Sequence, residues 1–230
     1  MRAYFLESLV EKDDYILLVD ESLHHLLRVA RLSTNEEVLL LNGRGLQVRT
    51  LVINISKKEI HLKTLSVFNY ERKYQFDLAL CMPKREALEL CLKEATELGF
   101  ENIHLIKSDF SQMKFPERER VNKLIISGVE QSNAPYAPQL FFSTWDHIPW
   151  SSYHEVLLLD SQSKRSNWAV GTIPSKKLLV VGPEGGFSLN ELNYLYSQEN
   201  IRPITLPTPI LRTPTALAVG AGMMIQNLLN

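Results

Sequence analysis

The segment Leu178-Leu179-Val180-Val181-Gly182-Pro183-Glu184-Gly185-Gly186-Phe187 constrains the fold of this 230-residue chain more than any other. Its apolar run is too short for a helix. It stops at a glycine-proline-glycine turn, as a buried parallel strand does on reaching a ligand crevice. A second stretch follows the same logic: Ile204-Thr205-Leu206, a proline-punctuated turn, then Ile210-Leu211-Arg212-Thr213-Pro214-Thr215-Ala216 entering a long helix of small residues. Two such strand-to-loop junctions predict one cofactor pocket.

Around these junctions the chain divides in two. From Met1 to about Arg72, short apolar runs at Tyr15 to Val19, Val38 to Leu41, Gln47 to Ile55 and Ile60 to Val67 are joined by Asn42-Gly43-Arg44-Gly45 and Ser56-Lys57-Lys58-Glu59, which have hairpin chemistry. One helix, Ser22 to Leu32, sets Leu23, Leu26, Leu27 and Ala30 on one face and His24, Arg28 and Arg31 on another. This half reads as a small β-barrel with a basic helix on its rim. After Lys73, strands at 76–82, 102–106, 156–159, 178–181 and 203–206 interleave with helices at 85–98, 117–131, 189–199 and 214–229. That alternation predicts an α/β domain with a largely parallel sheet.

The loops themselves narrow the chemistry. The glycines of Gly182-Pro183-Glu184-Gly185-Gly186 allow close backbone approach, and Ser188-Leu189-Asn190-Glu191 is a capping box that starts the next helix. No Lys-Ser/Thr follows the glycines, and the spacing is not GxGxxG, so triphosphate and dinucleotide cradles fit poorly. In the second loop, Thr213 as N-cap with Pro214 at the first helical position would aim Arg212 at the crevice. Ala216, Ala218, Gly220, Ala221 and Gly222 suit close packing against another helix or another subunit, an expected dimer contact.

Composition adds exclusions. With 25 Lys and Arg against 26 Asp and Glu, a net charge of -1 argues against a surface that traps nucleic acid as a whole, so any RNA contact must be a local patch. Cys81 and Cys91 form neither a zinc set nor a CxxC pair and are expected as reduced, buried thiols. His61, His104, His147 and His154 lack metal-ligand spacing, so no metal is expected. With no signal region and no apolar stretch long enough to span a bilayer, a cytoplasmic protein without membrane contact is expected.

With these motifs in hand, the chain resembles the RsmE family of ribosomal small-subunit RNA uridine-N3 methyltransferases, of the SPOUT superfamily of S-adenosylmethionine (SAM) enzymes. The resemblance rests on His24-His25-Leu26-Leu27-Arg28-Val29-Ala30-Arg31-Leu32 with Asn42-Gly43-Arg44-Gly45, on Glu94-Ala95-Thr96-Glu97-Leu98-Gly99, on Glu130-Gln131-Ser132, and on the GPEGGF and ILRT segments. It implies a PUA-like RNA-binding β-barrel over 1–72 and a SPOUT domain over 73–230, with a parallel sheet and a carboxy-terminal trefoil knot, an exception to the usual absence of knots. It further implies a homodimer, with 16S ribosomal RNA or the small ribosomal subunit as partner. SAM would lie among the loops after Leu159, Val181 and Leu206, contacting these residues and Gly182, Gly185, Gly186, Ile210, Leu211 and Thr215. RNA would meet His24, Arg28, Arg31 and Arg44. The chain departs from the family pattern at Asp109-Phe110-Ser111, where Glu-Arg-Ser is usual, at Asn133-Ala134 for Gly-Arg, at Pro207 for Gly, at Pro214 for Glu, and at Lys93, one place early.

Methylating uridine N3 removes an imide proton and spreads negative charge over O2, N3 and O4, so positioning and charge stabilisation should dominate. The resemblance makes Arg212 and Glu184 the catalytic candidates. Arg212 would donate to the uracil oxygens or the adjoining phosphate; Glu184 would order its loop or help remove the proton. Two alternatives stand beside this reading. One is an RNA-binding or ribosome-assembly protein with a degenerate methyltransferase site, the other a SPOUT enzyme that modifies a different RNA position.

Overall fold

Burial follows the short apolar runs closely enough to build two sheets from them. The computed structural model describes residues 1–11, 14–19, 32–72, 74–111, 113–163 and 176–226. Two compact units result: Met1–Arg72 with Ile126–Ala137, and Lys73–Ile125 with Pro138–Asn230. The segment Ile126–Ala137 therefore clusters with the first unit, although the sequence reading left it in the second.

In the first unit, β1 (Arg2–Phe5), β2 (Tyr15–Leu18), β3 (Glu37–Leu41), β4 (Leu46–Ile55) and β5 (Ile60–Asn69) pair in the order β1-β3-β4-β5-β2. Among the described residues only the β1–β3 pair of this sheet is parallel. Val38 and Leu40 enter one core cluster with Val48, Val52, Ile60 and Leu62, while Leu39 and Leu41 meet Ala3 and Val129 in a second. Strand β3 thus buries both faces, which is why the segment around Val129 belongs here. Among the described residues β1 and β2, the two ends of this order, do not pair with each other. The expected helix Ser22 to Leu32, with its candidates His24, Arg28 and Arg31, lies outside the described residues except for Leu32.

In the second unit, β6 (Phe76–Cys81), β7 (Asn102–Ile106), β8 (Gln139–Ser143), β9 (Glu155–Leu159), β10 (Lys177–Val181) and β11 (Ile201–Ile204) form one sheet, ordered β11-β9-β10-β6-β7-β8 with every pair parallel. Strands β6 and β10 are buried at every residue, as near-continuous apolar runs require in a parallel sheet. The described helices are α1 (Arg85–Glu97), α2 (Arg118–Ser132), which starts in this unit and ends in the first, α3 (Leu189–Tyr196) and α4 (Thr213–Gln226). Helix α1 buries Leu88, Cys91, Leu92 and Ala95 at helical spacing. Both cysteines are free and buried, and burial pushes both thiols up from their ordinary range. Past α2, Asn133 adopts the left-handed conformation (φ 55°) that ends helices, a role Asn fills where glycine is usual. Helix α4 lies on β9 and β10 because Gly220 has no side chain: a Cβ there would stand 2.9 Å from Leu179 and 3.0 Å from Leu159.

The two ends of this sheet differ. At the amino ends of the strands, buried Asp77 accepts hydrogen bonds from the Asn102 N–H (3.1 Å), its side-chain amide (2.9 Å) and the Tyr153 hydroxyl (2.7 Å), with Lys176 at 3.4 Å. Buried Glu155 pairs with Lys177 (3.3 Å) and Arg202 (3.0 Å). The carboxyl ends carry open loops instead, where ligands of parallel α/β sheets bind.

Candidate active site

Three loops leave the carboxyl ends of β9, β10 and β11 and enclose a cavity of about 340 Å³. Leu159, Val181, Gly182, Gly185, Gly186, Leu206, Ile210 and Leu211 line it, eight of the nine positions expected for the cofactor. Glu184 lines it too. Thr215, the ninth, is exposed and is not part of the wall, which Thr213 and Ala216 form instead.

Loop order comes from local chemistry. Ser188 caps α3 by accepting the Glu191 N–H (3.2 Å), and the Glu191 carboxylate accepts the Ser188 N–H (2.9 Å), the capping box read from the sequence. Buried Glu191 also accepts the Asp109 N–H (3.2 Å) and the Trp145 indole N–H (3.1 Å), so one carboxylate ties three segments together. Gly186, at φ 71°, closes a turn by donating its N–H to the Pro183 carbonyl (2.9 Å). Glu184 accepts the Lys84 N–H at 3.2 and 3.4 Å through its two carboxylate oxygens, fastening the loop to the residue before α1. Loop ordering is therefore a role Glu184 visibly has.

The last loop departs from expectation at its helix. The Arg212 carbonyl accepts the Ala216 N–H (2.9 Å), so Arg212, not Thr213, occupies the N-cap position, and Pro214 sits in the second position of the first turn. The Thr213 hydroxyl donates across to the Gly182 carbonyl (3.3 Å), joining two loops. Leu211 and Thr213 face the cavity while Arg212 between them is exposed and outside its wall. The arginine expected to face the crevice thus points to solvent.

Asp160, which the sequence reading did not single out, is buried in the cavity wall. Its carboxylate accepts the Gln162 N–H (2.9 Å) and the Tyr196 hydroxyl, and its carbonyl accepts the Thr205 hydroxyl (2.9 Å), linking the first and third loops. An acid directly after the apolar run Val156-Leu157-Leu158-Leu159 was the available signal.

A second, more open cavity of about 610 Å³ adjoins the first and shares Glu184 and Gly185 with it. Met82, Lys84, Asp109, Phe110 and Ser111 complete its wall. In the first unit, Arg44 is exposed and donates to the Glu7 carbonyl (2.8 Å). Among the described residues no three His, Cys, Asp or Glu side chains converge as a metal site. None of the described helices is long and apolar enough to cross a membrane.

Comparison with known proteins places these features. Residues 70–225 match the family model of the RNA methyltransferase domain, and residues 18–65 match that of the RNA methyltransferase PUA domain. Ribosomal RNA small subunit methyltransferase E of Rickettsia conorii is 26% identical over 223 residues, covering 94% of this chain and 91% of its own. The Bacillus subtilis protein of the same name is 24% identical over 239 residues, covering 94% and 93%. The crystal structure of ribosomal RNA small subunit methyltransferase E from Neisseria gonorrhoeae, bound to S-adenosyl methionine, shares the fold at a TM-score of 0.84 and 22% identity, covering 98% of this chain and 97% of that one. The chain belongs to the RNA methyltransferase family whose curated members are named ribosomal RNA small subunit methyltransferase E.

Proposed function

We propose that this protein is a SAM-dependent methyltransferase acting on N3 of a uridine in 16S ribosomal RNA of the small subunit. The observation that carries the reading is the 340 Å³ cavity, walled by the three loops expected to hold the donor. Its composition fits an adenosyl group: aliphatic walls from Leu159, Val181, Leu206 and Leu211 flank a glycine loop and the polar Asp160 and Thr205. Bound there, SAM would supply a sulfonium methyl, the N–C bond forming as the S–C bond breaks.

The chain's own part is to position, to exclude water and to take up the imide proton. Glu184, in the wall of both cavities, is the proposed proton acceptor as well as the loop clamp. The exposure of Arg212 supports contact with the phosphate beside the target nucleotide rather than with the uracil oxygens. Thr215, one residue outside the wall, would meet the donor only from the cavity rim. The unit from Met1 to Arg72 is proposed as the PUA-like RNA-binding domain, using Arg44 with His24, Arg28 and Arg31. The 73–230 segment is proposed as the SPOUT domain. Its knot would arise where the chain after β11, at the sheet edge, returns to lay α4 on β9 and β10. Exposed Ala218, Val219 and Gly222 on α4 offer the contact for a second copy of the chain.

Calorimetry with SAM, followed by transfer of labelled methyl to small ribosomal subunits from cells that lack the modification, tests the proposal. Saturable binding and one methylated uridine, located by mass mapping, are expected. Absence of binding refutes it. Arg212→Ala should abolish transfer while leaving SAM affinity intact.

A further inference from the structure

The 610 Å³ cavity has a wall whose chemistry the functional reading leaves unused. Phe110 stands in it half exposed, at 50%, and none of the described aromatic rings pairs with it. An aromatic left open on a loop is costly unless the loop is held. Here it is held: the Ser111 N–H donates to the Ser108 carbonyl (3.0 Å), the Ser111 hydroxyl to the Met82 carbonyl (3.1 Å), and the Asp109 N–H to the Glu191 carboxylate (3.2 Å). The Ser188 hydroxyl donates to Asp109 as well. Gly185 lets the shared loop pass close by, since a Cβ there would lie 3.2 Å from Phe110 Cβ. Lys84 supplies a cation to the same cavity; its backbone is pinned by Glu184, and its ammonium makes no ion pair among the described residues.

A rigid open π-face, an unpaired cation and an adjoining donor cavity match the needs of one kind of ligand. A base methylated at an edge atom must leave its stack, and flipped bases are held by stacking and by hydrogen bonds to the pairing edge. Of the bases, uracil also gathers negative charge on its two oxygens as N3 loses its proton, which a nearby ammonium stabilises.

Resting on the function proposed above, we infer that the 610 Å³ cavity receives the flipped target uracil, stacked on Phe110 with Lys84 facing its imide oxygens. Glu184 and Gly185, common to both cavities, form the boundary across which the methyl group passes. Phe110 is a specificity-determining contact in this scheme, and Lys84 acts on the charge that develops during reaction.

The test compares Phe110→Ala, Phe110→Leu and Phe110→Tyr in the full chain, with unmethylated small ribosomal subunits as substrate. Leucine keeps apolar bulk without a π-face; tyrosine keeps the face. Alanine and leucine should each lower kcat/KM by about 10- to 100-fold, the size of one lost base–aromatic stack. Tyrosine should recover most of that loss. Binding of the subunits without donor should weaken in the same order, while SAM affinity and thermal stability stay at wild-type values. Lys84→Met should lower kcat more than it raises KM for the subunits, and Lys84→Arg should recover kcat. Phe110→Leu within twofold of wild type in both transfer and subunit binding overturns the stacking role. Failure of the wild-type chain to bind SAM overturns the functional reading itself, a result the Phe110 series cannot produce.

Discussion

Replacing Tyr153 by phenylalanine removes one hydroxyl from the polar cluster at the amino ends of the strands and leaves the ring, with Lys176 4.9 Å from its centroid, in place. No cavity opens, so the cost is the hydrogen bond alone. That bond, 2.7 Å long, goes to the Oδ2 atom of fully buried Asp77, whose other partner there is Lys176 at 3.4 Å; both bonds from Asn102 go to Oδ1. A hydrogen bond to a charged group contributes about 1.5–3 kcal/mol, and a buried carboxylate cannot turn to water when one is lost. We expect Tyr153→Phe to cost about 2 kcal/mol, which lowers Tm by about 4–8 °C in a chain of this size. Guanidinium and thermal unfolding followed by circular dichroism measure this, and a double-mutant cycle with Asp77→Asn should give a coupling above about 1 kcal/mol. SAM affinity should not change, because β9 separates its first residue from the cavity by four steps, about 13 Å. A loss below about 0.5 kcal/mol, or a coupling near zero, would show that Lys176 alone satisfies the carboxylate and that the argument from buried charge is wrong.

Other expectations follow from single contacts. Ser188→Ala should destabilise α3 by about 1 kcal/mol through loss of the cap; it should also weaken SAM binding, and unchanged affinity would disconnect the capping box from the cavity. Gly186→Ala should cost about 1 kcal/mol from its left-handed backbone alone, because nothing lies within 4 Å of the added methyl; a larger loss in denaturant titration would reveal a clash. Burial holds the pKa of His104 below the ordinary value of 6.5, so the unfolded chain takes up a proton more readily. Stability should therefore fall as pH drops through 6.5 toward the folded pKa and be insensitive to this group above that range. His104→Asn should flatten that slope in denaturation at pH 5.5 against pH 7.5, and an unaltered slope would count against it.

What the sequence made legible tracks how local each signal is. Strands β6, β9 and β10 are apolar at most positions because both faces are covered, and they were read within a residue or so. Strands β1 and β8 were missed: Arg2–Phe5 is only four residues long, and Gln139–Ser143 exposes Gln139 and Phe141, so neither pattern is distinct from a loop. Val129 clusters with the first unit through Leu39 and Leu41, partners far back in the chain that no local pattern shows. The position of Arg212 turned on a single residue. Moving the N-cap by one rotates each side chain by about 100° about the helix axis, enough to carry the guanidinium from crevice to solvent. Asp160 went unread because Tyr196 and Thr205, which fix it, are remote in sequence. Phe110, by contrast, stands out in the sequence only as a departure from a family pattern; its cavity is visible only in three dimensions.

Strand β11 forms one margin of the second sheet, and its third residue is Pro203, preceded by Arg202. Proline brings no N–H to that margin and arginine brings a charge, two devices that discourage a foreign strand from adding itself there. The border beside the loops of the candidate site therefore offers an added strand one backbone donor fewer, and replacing Pro203 by valine should leave the chain folded yet raise its tendency to associate in fibrils, read by a dye-binding assay.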